Sequence, residues 1–328
     1  VRADLLHVIA VISNPERWKS RIALYRAFEL HMQQSGVHLI TVEHAFGDRP
    51  FEVTDANNTD HVQVRGGREQ EIWLKEPLIN LGIRQNLTRR FPDWKYVAWI
   101  DADIQFLRLD WAAETVHELQ HVPVCQPWSN SIDLGPQSEI LPNEAAEVYD
   151  RSFAAAMSVG EAHVPGTKQS QNKEWLGYQR DLRQHYGYAW AMTRAAYDGI
   201  GGLLDWALTG PADYHMAYAF AGMEVKADPE MHPAYTRRLG EFHDRSQRVI
   251  RGSVGVVHGT IAHGFHGTKK KRGYVTRRSI LTGPVKYNPD TDLAYDAQGL
   301  PYLCTDNRHI RDGLRKYFLS RCEDSIDV

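Results

Sequence analysis

A short apolar run, Tyr96-Val97-Ala98-Trp99-Ile100, drives into two aspartates one residue apart, Asp101 and Asp103, and resumes as Ile104-Gln105-Phe106. The run has the length and the β-branched and aromatic content of a buried strand. Carboxylates at the end of such a strand are destabilising unless something positive meets them, because unpaired buried charge is costly. A divalent cation is the simplest partner. Hard oxygen ligands suit Mg²⁺ or Mn²⁺, which keep positions open for water and phosphate oxygens. A second Asp-x-Asp, Asp290-Thr291-Asp292, lies among turn formers with no strand before it and reads as a loop or helix cap.

The flanking pattern gives the fold class. His7-Val8-Ile9-Ala10-Val11-Ile12 predicts a first buried strand that stops at Ser13-Asn14-Pro15. Residues 15–34 carry Trp18, Ile22, Tyr25, Phe28 and Met32 at helical spacing, Gly36 closes the helix, and residues 37–43 predict a second strand. This β-α-β alternation is that of an α/β protein whose parallel sheet is covered by helices. In open α/β sheets ligands bind beyond the carboxyl ends of strands, a rule that brings Ser13 and Asn14 beside Asp101 and Asp103. After a polar loop over residues 47–62, Trp73-Leu74-Lys75-Glu76-Pro77 leads into a helix, with Pro77 suited to its first turn. Asn80 and Arg84 share a face of that helix, as solvent-facing polar residues or as ligand contacts. Residues 123–142, rich in Pro, Ser and Asn, predict a long loop; residues 186–192 predict a strand, and 194–200 a helix. Gly210-Pro211-Ala212-Asp213 reads as a helix start, with Asp213 either a first-turn carboxylate favoured by the helix dipole or a general base.

A chain of 328 residues can bury one elaborated α/β domain or two fused lobes. Its net charge of −3 argues against a generic nucleic-acid binder. Cys125, Cys304 and Cys322 are odd in number, far apart and in no metal spacing, which predicts a reducing cytosol. No segment reaches membrane-spanning length. Three His-Gly pairs (His258-Gly259, His263-Gly264 and His266-Gly267) precede a basic run, Lys269-Lys270-Lys271-Arg272, then Arg277-Arg278. Glycine permits close backbone approach, imidazole completes a Mn²⁺ shell begun by carboxylates, and Lys and Arg neutralise phosphate oxygens.

Together these segments resemble bacterial and phage glycosyltransferases of the GT-A type. The resemblance rests on the strand ending at Ser13-Asn14, the strand ending at Asp101-Ala102-Asp103, Tyr188-Ala189-Trp190-Ala191, Gly210-Pro211-Ala212-Asp213, and the stretch from His263 to Tyr274. That last stretch is similar to a His-x-aromatic-His-Gly-x4-Arg-x-Tyr signature of phage-type members. The resemblance implies a GT-A, Rossmann-like nucleotide-sugar-binding sheet flanked by helices. Residues 1–120 would form its nucleotide-sugar half, 121–250 its acceptor half, and 251–328 the metal and diphosphate strand, basic loop and C-terminal extension. It implies Mn²⁺ or Mg²⁺ held directly by Asp103, with Asp101 reaching the ribose or metal and His263 or His266 as third ligand. The donor would be a UDP-sugar contacted by Ser13, Asn14, Lys75, Asn80, Arg84, Asp101, Lys270 and Arg272. Asp213 would deprotonate the acceptor hydroxyl if the enzyme inverts configuration. The acceptors implied are 5-hydroxymethylcytosine in phage DNA or a cell-surface glycan precursor such as lipopolysaccharide. For DNA, Lys269 to Arg278 would touch phosphates, and Trp175, Tyr178, Tyr186 and Trp190 would stack a base turned out of the helix. A non-catalytic nucleotide-sugar-binding module is the reading from another class. No obligate protein partner is evident, and the expected location is cytoplasmic, the host cytosol if the chain is phage-encoded.

Overall fold

Strict alternation in the central strands divides the core into two layers. In β4 (Tyr96–Ile100) Val97 and Trp99 face one side of the sheet and Ala98 and Ile100 the other, and in β11 (Ala189–Thr193) Trp190 and Met192 oppose Ala189 and Ala191. The first side is covered by helices Lys75–Leu81, Arg194–Ile200, Ala212–Phe220, Pro233–Val249 and Arg308–Ser320, the second by helices Lys19–Gln34 and Trp111–Glu118. Tyr25, Phe28 and Met32 are the buried face of the Lys19–Gln34 helix, worth about 1.5–3 kcal/mol each. The computed structural model describes residues 5–142, 148–162, 184–224, 228–273 and 276–327. Trp175 and Tyr178 lie outside them, as do Tyr274 and the side chain of Lys270.

The main sheet has seven strands in the order β12 (Val254–Val256), β6 (Val124–Gln126), β11, β4, β1 (Leu6–Ser13), β2 (His38–Phe46), β3 (His61–Gly66). All are parallel to one another except β11, which runs against both β4 and β6. The expected α/β class and helix-covered, largely parallel sheet are present. Beyond its carboxyl edge lies a second sheet, β10 (Gln184–His185), β9 (Asp150–Ser152), β7 (Asn130–Leu134), β13 (Thr260–His263), β5 (Ile104–Phe106), with β8 (Ile140–Leu141) on β7; β14 (Leu293–Tyr295) and β15 (Pro301–Leu303) pair alone.

Several boundaries differ from the sequence reading. The first helix begins at Lys19, because Asn14 spends both side-chain atoms on a turn, accepting from Trp18 N (2.9 Å) and donating to Trp18 O (3.0 Å). The helix has no local cap. Asp324 supplies it, accepting from Lys19 N (3.0 Å) and Ser20 N (2.8 Å). The loop expected over 47–62 is present and ends at Asp60, just before β3, whereas that expected over 123–142 contains β6, β7 and β8, strands too short for alternation to declare itself. The strand expected over 186–192 starts only at Ala189, because Tyr188 takes a left-handed backbone (φ 69°). No helix among the described residues is long and apolar enough to cross a membrane.

Three buried histidines are expected to cost the fold stability in acid. Burial, aided by His38, pushes His7 down to about 4, and burial lowers His44 to about 4 and His215 to about 3. Below the ordinary value of 6.5 the unfolded imidazoles take up protons that the folded ones refuse. Their contribution is therefore whole above that pH and is lost as pH falls. Melting temperature is expected to drop between pH 6.5 and 4, and His215→Gln, if it folds, to flatten that slope; thermal melts across this range check it.

Candidate active site

The chain reverses at Asp101, where Ile104 N donates to Asp101 O (3.2 Å) and Asp101 N to Tyr188 O (2.7 Å), so the main sheet ends and β5 of the second sheet begins. There β13 lies between β5 and β7, in a register that sets His263 opposite both Ile104 and Asp133. Gly264 N donates to Asp103 O (2.8 Å). The result is a cluster in which Asp103 Oδ2 lies 3.0 Å from His266 Nε2 and 3.8 Å from His263 Nε2. One ligand atom from each of Asp103, His263 and His266 falls within 4.8 Å of the others. On its far side His263 Nδ1 is 2.8 Å from Asp133 Oδ1, the carboxylate–histidine pairing that orients a metal-binding imidazole.

These residues fit a divalent cation. Asp103 Oδ1 is buried without a hydrogen-bond partner, a cost that a bound cation would remove. Although burial raises it, the hydrogen bond with His266 and the neighbouring His263, His266 and Arg272 hold the Asp103 carboxyl well below the usual range. Burial and Arg272 push His266 down to about 4. Both directions leave deprotonated donor atoms, as metal binding requires. Asp101 stands outside the cluster: its Oδ1 is 2.7 Å from Lys75 Nζ, and burial, against the pull of Lys75, raises its carboxyl to about 6.

The cluster opens into a cavity of about 340 Å³ at the carboxyl edge of the main sheet. Arg21, Lys75, Lys269, Arg272, Arg277 and Arg321 line it, against four carboxylates, Asp101, Asp103, Asp213 and Glu323. Lys75 Nζ bridges Asp101 and Asp213, 3.1 Å from Asp213 Oδ2. A Cβ on Gly187 would sit 2.8 Å from Asp213 Oδ2, so glycine is what lets this carboxylate lie against the backbone. Arg277 and Arg321 both lie over the Trp73 ring, at 5.9 and 5.8 Å, and both donate to the Tyr317 hydroxyl, at 3.0 and 2.8 Å.

The structure thus brings Ser13, Lys75, Asp101, Asp103, Asp213, His263, His266 and Arg272 to one cavity. Asn14, Asn80 and Arg84 are not among its lining. Asn14 holds the turn described above. Asn80 is buried, its amide donating to Leu203 O and accepting from Leu203 N and the Tyr197 hydroxyl, each at 2.9 Å. Arg84 is exposed beside Gly299. In the other Asp-x-Asp, Asp290 pairs with Arg237 and Arg238 and Asp292 accepts from Asn288 N, consistent with a turn. Sequence reasoning missed Asp133, Arg21, Glu323 and Arg321 as site residues, and saw Arg277 only as part of the basic run. Asp133 lay in a supposed loop, and Arg21 and Glu323 meet across 302 positions of sequence.

Three cations of the basic run are paired with carboxylates. Lys269 pairs with Asp133 and Asp150, Lys271 with Asp327 (3.5 Å), and Arg278 with Asp228. Trp190 is 1% exposed and donates to Tyr186 O, so it belongs to the core rather than to a base-stacking surface.

No family model matches this sequence, and no curated protein does. Among solved structures, glucosyl-3-phosphoglycerate synthase from Mycobacterium tuberculosis, in complex with Mn²⁺, UDP and phosphoglyceric acid, is 14% identical over 85% of this chain and 76% of its own, with a TM-score of 0.38. A Drosophila β1,4-galactosyltransferase 7 mutant in complex with manganese, UDP-Gal and xylobiose is 11% identical over 97% and 99%, TM-score 0.36. A nucleotide-diphospho-sugar transferase of Desulfovibrio desulfuricans is 11% identical over 79% and 81%, TM-score 0.30. Likeness at this level carries no argument about chemistry, which rests on this chain's own residues.

Proposed function

We propose that this protein is a metal-dependent glycosyltransferase of the GT-A type that moves a sugar from a UDP-sugar to a hydroxyl acceptor. One observation carries the reading: the Asp103, His263 and His266 ligand atoms lie at a cavity of about 340 Å³ lined by six cationic side chains, room for a small ligand with an anionic group. Two imidazoles and one carboxylate also suit Fe²⁺; the crowd of guanidinium and ammonium groups favours a diphosphate instead. Asp103 and the two histidines would hold Mn²⁺ or Mg²⁺, which supplies Lewis-acid stabilisation of the diphosphate leaving group. Arg21, Arg272, Arg277 and Arg321 offer fixed positive charge where charge grows as the sugar–phosphate bond breaks. Asp213 takes the proton of the acceptor hydroxyl at a carboxylate oxygen held by Lys75. With Lys269, Lys271 and Arg278 each paired to a carboxylate and Trp190 buried, the DNA reading loses part of its phosphate-contact and base-stacking sets, and a glycan or other hydroxyl compound is the acceptor class we favour.

The test is a UDP-release assay with Mn²⁺ and a panel of UDP-sugars. Its acceptors are saccharides, hydroxymethylcytosine-containing DNA and none. Mn²⁺-dependent release that a saccharide stimulates and EDTA abolishes is the expected result. Absence of metal-dependent UDP binding and release with every sugar overturns the reading. Release stimulated only by the DNA overturns the acceptor assignment.

A further inference from the structure

Residues 321–324 return to the cavity from the far end of the described chain and close against it at two points. Asp324 caps the Lys19–Gln34 helix. Beside it, the Glu323 side chain is 1% exposed and receives a fork from Arg21, Nε at 2.5 Å and Nη2 at 2.7 Å, together with Nε of Arg321. Its Oε2 also lies 3.7 Å from His266 Nδ1. Backbone is strained to achieve this: Cys322 takes φ 44°, a left-handed conformation rare for a residue with a side chain. The partner loop is fitted to it. A Cβ on Gly267 (φ 80°) would lie 3.0 Å from Cys322 O and 3.2 Å from Glu323 Cα, so the His266-Gly267 turn and the returning segment touch backbone to backbone.

We infer that Glu323 is a positioning residue that aims the Arg21 and Arg321 guanidinium groups at a bound diphosphate. The inference rests on the donor reading above. A buried carboxylate between two arginines is weak evidence of stability alone, since desolvation of the ions offsets much of their attraction. What distinguishes this one is where its partners face. Both arginines line the cavity, and each guanidinium is held from more than one side. Arg21 commits a third N–H to Ser13 O (2.9 Å), and Arg321 donates to the Tyr317 hydroxyl (2.8 Å) and lies over Trp73. Of five N–H donors on a guanidinium, Arg21 therefore directs three into the protein. Its remaining donors are fixed in direction before any anion arrives, which is the preorganisation that favours a charged group at little reorganisation cost. Without Glu323 the two like charges would repel and their forks would swing.

Binding of inorganic pyrophosphate without metal, measured by calorimetry, reads the arginines directly, and Mn²⁺ with UDP reads the full donor site. Glu323→Gln is expected to weaken pyrophosphate by at least about tenfold, and Glu323→Asp to recover part of the loss. In a double-mutant cycle, Arg21→Lys with Glu323→Gln should fall well short of additive. Equal or tighter binding by Glu323→Gln than by wild type (tighter meaning that the carboxylate only offsets the arginines' charge), or an additive cycle, overturns the inference while leaving the transferase reading intact. Pyrophosphate binding without Mn²⁺-dependent UDP binding overturns the transferase reading, and the variant ratio still judges Glu323. If wild type binds neither, both fall. Should Glu323→Gln lack a cooperative melt, the Asp variant and Arg21→Lys decide.

Discussion

Asp103→Asn is expected to abolish Mn²⁺ binding and to lower UDP-sugar turnover by about 10³-fold or more, the several kcal/mol that a Lewis acid contributes at a diphosphate leaving group. Asp103 is the one anionic donor in the cluster, and its Oδ1 is the buried oxygen without a protein partner. Asparagine keeps the size and removes the charge, so two imidazoles and no anion would remain to hold a dication. Manganese binding followed by electron paramagnetic resonance, beside a thermal melt, separates a lost ligand from a lost fold. A variant that retains manganese and turns over within tenfold of wild type would show that the cluster is not the metal site.

Asp213→Asn should act on a different quantity. It is expected to lower kcat by about 10²–10⁴-fold, the range for a positioned general base, while UDP affinity changes little. Lys75 would keep its pairing with Asp101 at 2.7 Å, so the donor side of the cavity stays assembled. Steady-state kinetics with saturating acceptor, together with UDP titration, makes the separation. A kcat loss below tenfold would mean that the acceptor proton goes elsewhere, as in a retaining mechanism, and would remove Asp213 from the role assigned to it.

The strand–aspartate junction at residues 96–103 was legible because local pattern and local cost coincide there: a buried run cannot end in two carboxylates without a partner. The histidines were legible as a group for a similar reason, three with glycines beside them in a short stretch. What was not legible is set by pairing between distant segments. Asp133 reaches His263 only through the register of β7 on β13, and no residue within β7 announces it. Asn80 and Arg84 illustrate the opposite error. Four residues apart on one helix they share a face, but that face looks into the main core at Asn80 and out to solvent at Arg84, because the helix continues as a π-helical segment, Gly82–Leu87, which shifts the phase between them. The cations at Arg21 and Arg321 were invisible for a plainer reason: each is one arginine in ordinary helical or post-helical sequence, and only the fold brings them beside Arg277 of the basic run.

The cap that Asp324 places on the first helix has a consequence for how the protein is made. A chain emerging from the ribosome contains Asp103, Asp133 and both cluster histidines once residue 266 is out. Yet the Lys19–Gln34 helix is uncapped and Arg21 unanchored until Glu323 and Asp324 follow, roughly 3 to 11 s later at ordinary elongation rates. The cluster residues are therefore all out before Arg21 can be anchored, and the cavity wall formed by Arg21 and Arg321 is complete only once residues 323 and 324 have followed. One contact between sequence ends thus ties the finish of the first helix to the finish of the cavity.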